Sequence, residues 1–390
     1  MTALPADTGT GTSAKAPYPV VPLGRYQDTN FITGLRGWAA FGVFLAHSGA
    51  GGLAQQGWLA AQFVDLGRFG VDVFFVIAGF SVMTSYAACP DFRVYIIQRL
   101  LRIVPLYWCA ICVIFVAHHW GGLPIPAANW LAHFGVKPDT TSLLLQLSFL
   151  SLFDYRIVNS LIGVEWTLPV EVFYYLLIPT VLICWRSAAT RGCYWDAVIR
   201  VCLLLLAVWV GVSVLSAPVS APEDGSIAER WHPLTHVWPF ALGVLAFYLR
   251  PYAQLSLGWP HVGRMAACVM VVVALIWAQK QDILLQFATC LFIVCAGDRC
   301  RWTRRLFCNR VVLWGGLVSY SFYLVHMPVI HWLPEMINDP NATAFPVVLL
   351  ITVLVSALCY SFIERPARIL GRRLARKTPI QIPAMAATSA

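Results

Sequence analysis

Residues 33–47 read TGLRGWAAFGVFLAH, an apolar run broken only by Arg36 and, eleven residues on, by His47. The apolar positions are continuous rather than alternating, so the run reads as a membrane-crossing helix and not as a barrel strand. Nine more runs follow it. The ten expected spans lie at about 33–50, 69–88, 100–118, 165–185, 197–216, 233–250, 265–280, 283–297, 312–332 and 344–363. A further run at 143–153, LLLQLSFLSLF, is too short to cross a bilayer and is expected to form a re-entrant or interfacial helix. The expected fold is all-α: a polytopic membrane helical bundle of about ten transmembrane helices.

Composition supports this. Of 390 residues, 59% are hydrophobic and 12% charged, and the mean hydropathy is +0.70. A soluble domain carries about twice that share of charge, and it would aggregate with this much apolar surface. The 12 cysteines lie in apolar runs or beside basic segments, and Cys109-x-x-Cys112 has no second pair at zinc spacing, so neither a disulfide framework nor a metal site is expected. The Pro/Thr/Ala/Gly-rich residues 1–30 have no apolar core; they are expected to be a disordered cytosolic tail rather than a signal peptide.

The net charge of +9 acquires meaning from its location. With the N-terminus inside, 22 of the 27 basic residues fall on cytosolic segments or rims and five on the other side. This is a positive-inside bias that puts both termini in the cytosol. The basic stretches Arg299–Arg310 and Arg365–Lys377 are read as topology signals and contacts to anionic membrane lipids, not as a nucleic-acid surface. No P-loop, dinucleotide fingerprint or His-Glu-x-x-His motif is present.

Ionisable groups at membrane depth are costly and mark function by default. Arg36 and His47 are close to three helical turns apart, so they share a face and are separated by roughly 16 Å along the axis. Asp72 lies near the outer end of the second span, in GVDVFFVIAGF (70–80). Glu165 and Glu171 lie in VEWTLPVEVFYY (164–175), where Pro169 suggests a kink. Ser319 and His326 lie in GLVSYSFYLVH (316–326). By depth alone, His47, Asp72, Glu171 and His326 can meet, and a histidine beside a carboxylate is a minimal general base with its orienter. At the cytosolic entrance of the third span, Arg99 and Arg102 stand at i and i+3. Two guanidinium forks there suit bidentate phosphate binding, and equally suit anchoring to lipid headgroups.

Taken in order, these segments resemble the family-3 membrane acyltransferases, which acylate cell-envelope and secreted carbohydrates. GLRGWAAFGVFLAH (34–47) resembles the family's opening Arg…His motif. GVDVFFVIAGF resembles the second-span motif, with Ala78 where Ser is more usual. Arg99-x-x-Arg102 followed by IVPLYW matches the paired-arginine motif. Trp166-Thr167-Leu168 with Glu171 resembles the Trp-Ser/Thr-Leu-x-x-Glu segment, and GLVSYSFYLVHMPV with Glu364-Arg365-Pro366 the closing motifs.

The resemblance implies an acyltransferase domain over 31–366, flanked by cytosolic tails at 1–30 and 367–390, in a bacterial inner membrane. It implies no permanently bound cofactor, acyl-CoA (most simply acetyl-CoA) as donor, and a glycan or glycolipid hydroxyl as acceptor. Arg36, Arg99 and Arg102 would hold the donor's phosphates. His47 would be the general base or a transient acyl carrier, with Glu171 and Asp72 orienting it or lining the acceptor site. His326, Ser319 and Trp166 would contact substrate. A fused hydrolase-like domain, which some relatives carry, is not expected here. The rival reading is a proton-coupled transporter or glycolipid flippase, in which the same histidines and Glu171 relay protons. It lacks the usual pointer of internal repeats.

Overall fold

In a computed structural model, the described residues are 29–48, 57–88, 91–128, 131–132, 135–154, 156–188, 231–253, 259–276, 281–297, 300–337 and 345–377. The expected N-terminal tail (to residue 28), the fifth expected span at 197–216 and most of the expected C-terminal tail lie outside them.

The described residues are helical and contain no strand. In chain order the helices are α1 (Asn30–His47), α2 (Trp58–Gly67), α3 (Gly70–Ala88), α4 (Phe92–Gly121), α5 (Thr140–Leu147), α6 (Thr167–Ala188), α7 (Val237–Ala253), α8 (Trp259–Ile276), α9 (Gln281–Cys295), α10 (Arg301–Phe307), α11 (Arg310–Ile337), α12 (Phe345–Cys359) and α13 (Arg365–Lys377). A π-helical turn, Tyr360–Glu364, joins the last two. Among the described residues, four segments are long and apolar enough to cross a membrane: Val64–Ala88, Phe92–Gly121, Arg310–Leu333 and Phe345–Leu374.

The helix packing has a clear organisation. α1 packs chiefly on α11, α3 on α7, and α8 on α9, while α13 returns along α4. The α1–α11 contact is the one that sets the site, and it depends on the absence of side chains. A Cβ on Gly316 would run into the backbone carbonyl of Thr33, and one on Gly37 would meet the backbone of Gly316 at 2.9 Å. The two backbones can approach this closely only because both positions are glycine, the logic of small residues at membrane-helix interfaces. Gly316→Ala is therefore expected to force the helices apart and cost about 1–3 kcal/mol. The measurement is the thermal unfolding of the detergent-solubilised protein, and an unchanged midpoint would mean that the contact is slack.

Local chemistry fixes the other helix ends. Asp91 caps α4 by accepting from the amides of Arg93 (2.8 Å) and Val94 (3.2 Å), and Gly122, at φ 67°, ends it. This sets the register of Arg99 and Arg102. The short run at 143–153 forms α5 and a following 3-10 turn at Leu150–Phe153. It is tied to α4 by Tyr107 Oη donating to Gln146 Oε1 (2.8 Å) and by the Trp108 indole donating to the Leu147 carbonyl (2.8 Å). Ser142 hydrogen bonds hold the Asp139 carboxyl, at the start of α5, below the usual carboxylate range. That cap is present above this range and lost as pH falls through the depressed value.

The kink expected at Pro169 has a different setting. α6 begins at Thr167, so Pro169 sits in its first turn, where a missing amide costs the helix nothing. Glu165, buried just ahead of it, does local structural work. It accepts from the amides of Leu161 (2.6 Å), Gly163 (2.6 Å) and Val164 (3.1 Å), closing the turn that leads into α6. Gly163, at φ 96°, occupies a conformation that other residues rarely adopt.

Candidate active site

His47 is the last residue of α1 and His326 lies within α11, so the glycine-mediated contact brings them together. His47 Nδ1 lies 2.9 Å from His326 Nε2, and the rings are nearly parallel with centroids 5.1 Å apart. His326 Nδ1 is in turn 2.6 Å from the carbonyl oxygen of Tyr323, one turn back on the same helix. These bonds assign the hydrogens. A carbonyl only accepts, so His326 Nδ1 carries a hydrogen. With both rings neutral, His326 Nε2 is then the acceptor and His47 Nδ1 the donor. His47 Nε2 keeps its lone pair. His326 is fully buried and His47 exposed, so the pair runs from the interior of the bundle to its surface.

The second feature is a cavity lined by Arg36, Arg102, Glu171, Ser319 and Thr167, by the tyrosines Tyr320 and Tyr323, and by the apolar residues Val71, Phe74, Phe75, Ile103 and Leu168. Its non-atom space, open solvent included, is about 590 Å³. Arg36 donates to Ser81 Oγ at 2.6 Å while facing the cavity. Among the described residues Arg102 has no hydrogen-bond partner, so its fork is available to a ligand.

Arg99 is placed differently. It is buried, donates to the Ser81 carbonyl and to Ser85 Oγ, and stacks over Tyr175 at 5.1 Å. It belongs to the wall rather than the cavity. Tyr175 donates to Glu171 Oε1, so Arg99 backs the residue that fixes Glu171.

The carboxylates do not orient His47 here. Glu171 lines the arginine cavity, and Asp72 accepts from Gln286 of α9 at 2.8 Å. The hydrogen-bond partner of His47 is His326, a residue expected above to contact substrate. Ser319 donates to the Gly316 carbonyl at 2.9 Å and lines the cavity. Trp166 joins an aromatic cluster: it stacks on Trp231 (5.7 Å), and it meets Phe75 (6.1 Å) and His236 (5.3 Å).

Sequence reasoning missed Tyr323 and Phe74, which have no charge to attract notice, and Tyr175. Their only signal is the dense aromatic content of the segments that also carry the polar residues. Among the described residues no cluster of His, Cys, Asp or Glu could hold a metal ion.

The fold and site define a helical membrane protein that presents an imidazole lone pair near a cavity carrying two cationic forks. A family model described as an acyltransferase domain matches residues 29–361, and the chain belongs to that acyltransferase family. Among curated proteins the chain is similar to "Nodulation protein 10" of Rhizobium leguminosarum bv. viciae, 29% identical over 45% of this chain and 47% of that protein. It is also similar to "Putative peptidoglycan O-acetyltransferase YrhL" of Bacillus subtilis (26% identical, 88% and 55%) and to "Putative O-acetyltransferase SACOL0978" of Staphylococcus aureus (23%, 92% and 61%). The chain thus spans about half the length of the relatives it matches. No solved structure matches it.

Proposed function

We propose that the chain is an integral-membrane O-acyltransferase that moves an acyl group, acetyl in the simplest case, from acyl-CoA to a hydroxyl of a glycan or glycolipid. The observation that carries this reading is the hydrogen-bond chain Tyr323 carbonyl–His326–His47, which leaves a lone pair on His47 Nε2. The family and the names of the relatives support acyl transfer as the chemistry.

In this reading the chain crosses a bacterial inner membrane ten times with both termini in the cytosol. Arg36 and Arg102 take the donor's phosphates, and Glu171 lies in that donor cavity with Ser319. Arg99 positions Tyr175 and Glu171. Asp72 stands away from the reacting groups and ties α3 to α9. Trp166 lies on the acceptor's side. The acceptor hydroxyl gives its proton to His47 Nε2 as its oxygen forms a bond to the thioester carbonyl carbon. The C–S bond then breaks, and the departing thiolate takes the proton from His47 Nε2. The products are an ester and free CoA, and His47 is restored. His326 holds the ring through Nδ1 throughout and stabilises the imidazolium between the two proton transfers.

His326→Ala removes this hydrogen bond to a ring that becomes charged, a loss of about 1.5 kcal/mol or more, so kcat is expected to fall about tenfold or further. The KM for acyl-CoA should hold, which steady-state kinetics in membrane vesicles would show. The whole reading is tested by following radiolabelled acetyl from acetyl-CoA into envelope glycans. Label that never leaves CoA with the wild-type protein would sink it and favour the transporter reading.

A further inference from the structure

The cavity that Arg36 and Arg102 share does not reach the histidines. Phe74 and Tyr323 line it, whereas neither His47 nor His326 does. On the far side, the Tyr323 ring lies 5.8 Å from the His326 ring, and His326 carries His47. Tyr323 therefore touches both the cavity and the histidine pair. It meets Phe74 edge to face, with centroids 6.1 Å apart and planes at 67°, within the range of a closed aromatic pair.

The two rings differ in their freedom. Tyr323 is buried; its hydroxyl donates to the Val164 carbonyl at 2.9 Å and accepts from Thr167 Oγ1 at 3.1 Å. Swinging it aside would leave buried polar groups unpaired, which is costly. Phe74 is only partly buried, and an aromatic hydrocarbon ring has no such bonds to hold it. Of the two rings, Phe74 is therefore the one free to move.

We infer that Phe74 and Tyr323 form the constriction through which the acyl end of the donor reaches His47, and that this constriction confines the donor to short acyl groups. The inference rests on the acyl-transfer reading above. The donor's phosphates stay with the arginines, so the thioester end leads. An acetyl group asks Phe74 to yield only for a carbonyl and one methyl. Each added methylene must lie between the rings or find space beyond them, where Phe44 already packs on His326 (6.4 Å) and on Phe345 (5.6 Å). A pocket that excludes one methylene discriminates by about 10-fold or more.

The test uses the full chain in membrane vesicles carrying their own glycans, with radiolabelled acetyl-, propionyl-, butyryl- and hexanoyl-CoA as donors. The wild type is expected to lose transfer steeply as the chain lengthens. Phe74→Ala is expected to raise the butyryl-to-acetyl ratio of kcat/KM by about 10-fold. Phe74→Leu, which keeps most of the packing volume, is expected to shift it in the same direction by less. An unchanged ratio in both variants overturns the constriction while acetyl transfer by the wild type leaves the acyltransferase reading standing. A wild type that prefers butyryl or hexanoyl also overturns it. No transfer from any donor by the wild type overturns the acyltransferase reading itself, and the constriction with it.

Discussion

His47→Ala is expected to lower acetyl transfer by about 10²–10⁴-fold, the usual worth of a positioned general base, with little change in the KM for acyl-CoA. The expectation follows from where the lone pair lies. His47 Nδ1 is committed to His326, so only Nε2 can act, and it does so at the exposed end of α1. The donor's phosphates, in contrast, are assigned to a cavity whose described lining excludes His47. Removing the imidazole should therefore leave donor binding intact and remove the proton transfer. Scintillation counting of labelled glycan, with and without the substitution, makes the measurement. Transfer at the wild-type rate would dismiss His47 from the reaction. A second readout separates its two chemical roles. If Nε2 carried the acyl group, rapid quenching without acceptor would recover label on the protein in proportion to enzyme. If it acts as a base, label stays on CoA until acceptor is added.

The sequence made helix positions legible and left helix rotations hidden. The apolar runs located α1, α3, α6, α7, α9 and α12 to within about four residues, whereas α4 and α8 begin eight and six residues before their expected spans and α11 runs five residues past its expected end. Depth also put His47, Asp72, Glu171 and His326 in one layer. It could not say which of them face one another, because that depends on how each helix turns toward its neighbours. The glycine contact between α1 and α11 supplies the missing rotation and selects His326, 279 residues away, as the partner of His47.

The arginine pair shows the same limit on a smaller scale. Residues at i and i+3 are neighbours on a helix but differ by about 60° in direction. That difference puts Arg99 in the wall and Arg102 in the cavity. Arg250 was hidden for another reason. It is one of the 22 basic residues expected on cytosolic segments or rims, yet it is buried, and it donates to the Ile293 and Ala296 carbonyls at the end of α9. Those carbonyls lack helical partners, so the cation is stabilised where hydropathy counts it only as a penalty.

The separation of Arg99 from Arg102 has a consequence that kinetics can read. Arg102→Ala deletes a fork that is free to take phosphate, and a hydrogen bond to a charged group is worth about 1.5–3 kcal/mol. The KM for acyl-CoA is expected to rise about 10–100-fold, while kcat at saturating donor changes far less, because the histidine pair is untouched. Arg102→Lys should fall between, since an ammonium keeps the charge and loses the bidentate geometry. Arg99→Ala should behave differently in kind. It strips the Ser81 carbonyl and Ser85 of their donor and removes the cation behind Tyr175, so its main effect should be on the amount of folded protein recovered from the membrane. Calorimetric titration of acyl-CoA into the purified variants, alongside their recovery on size exclusion, distinguishes the two. Weaker donor binding by well-folded Arg99→Ala, with Arg102→Ala unaffected, would exchange the two assignments. Unchanged affinity in both would return this motif to anchoring lipid headgroups, leaving Arg36 as the donor contact among the three.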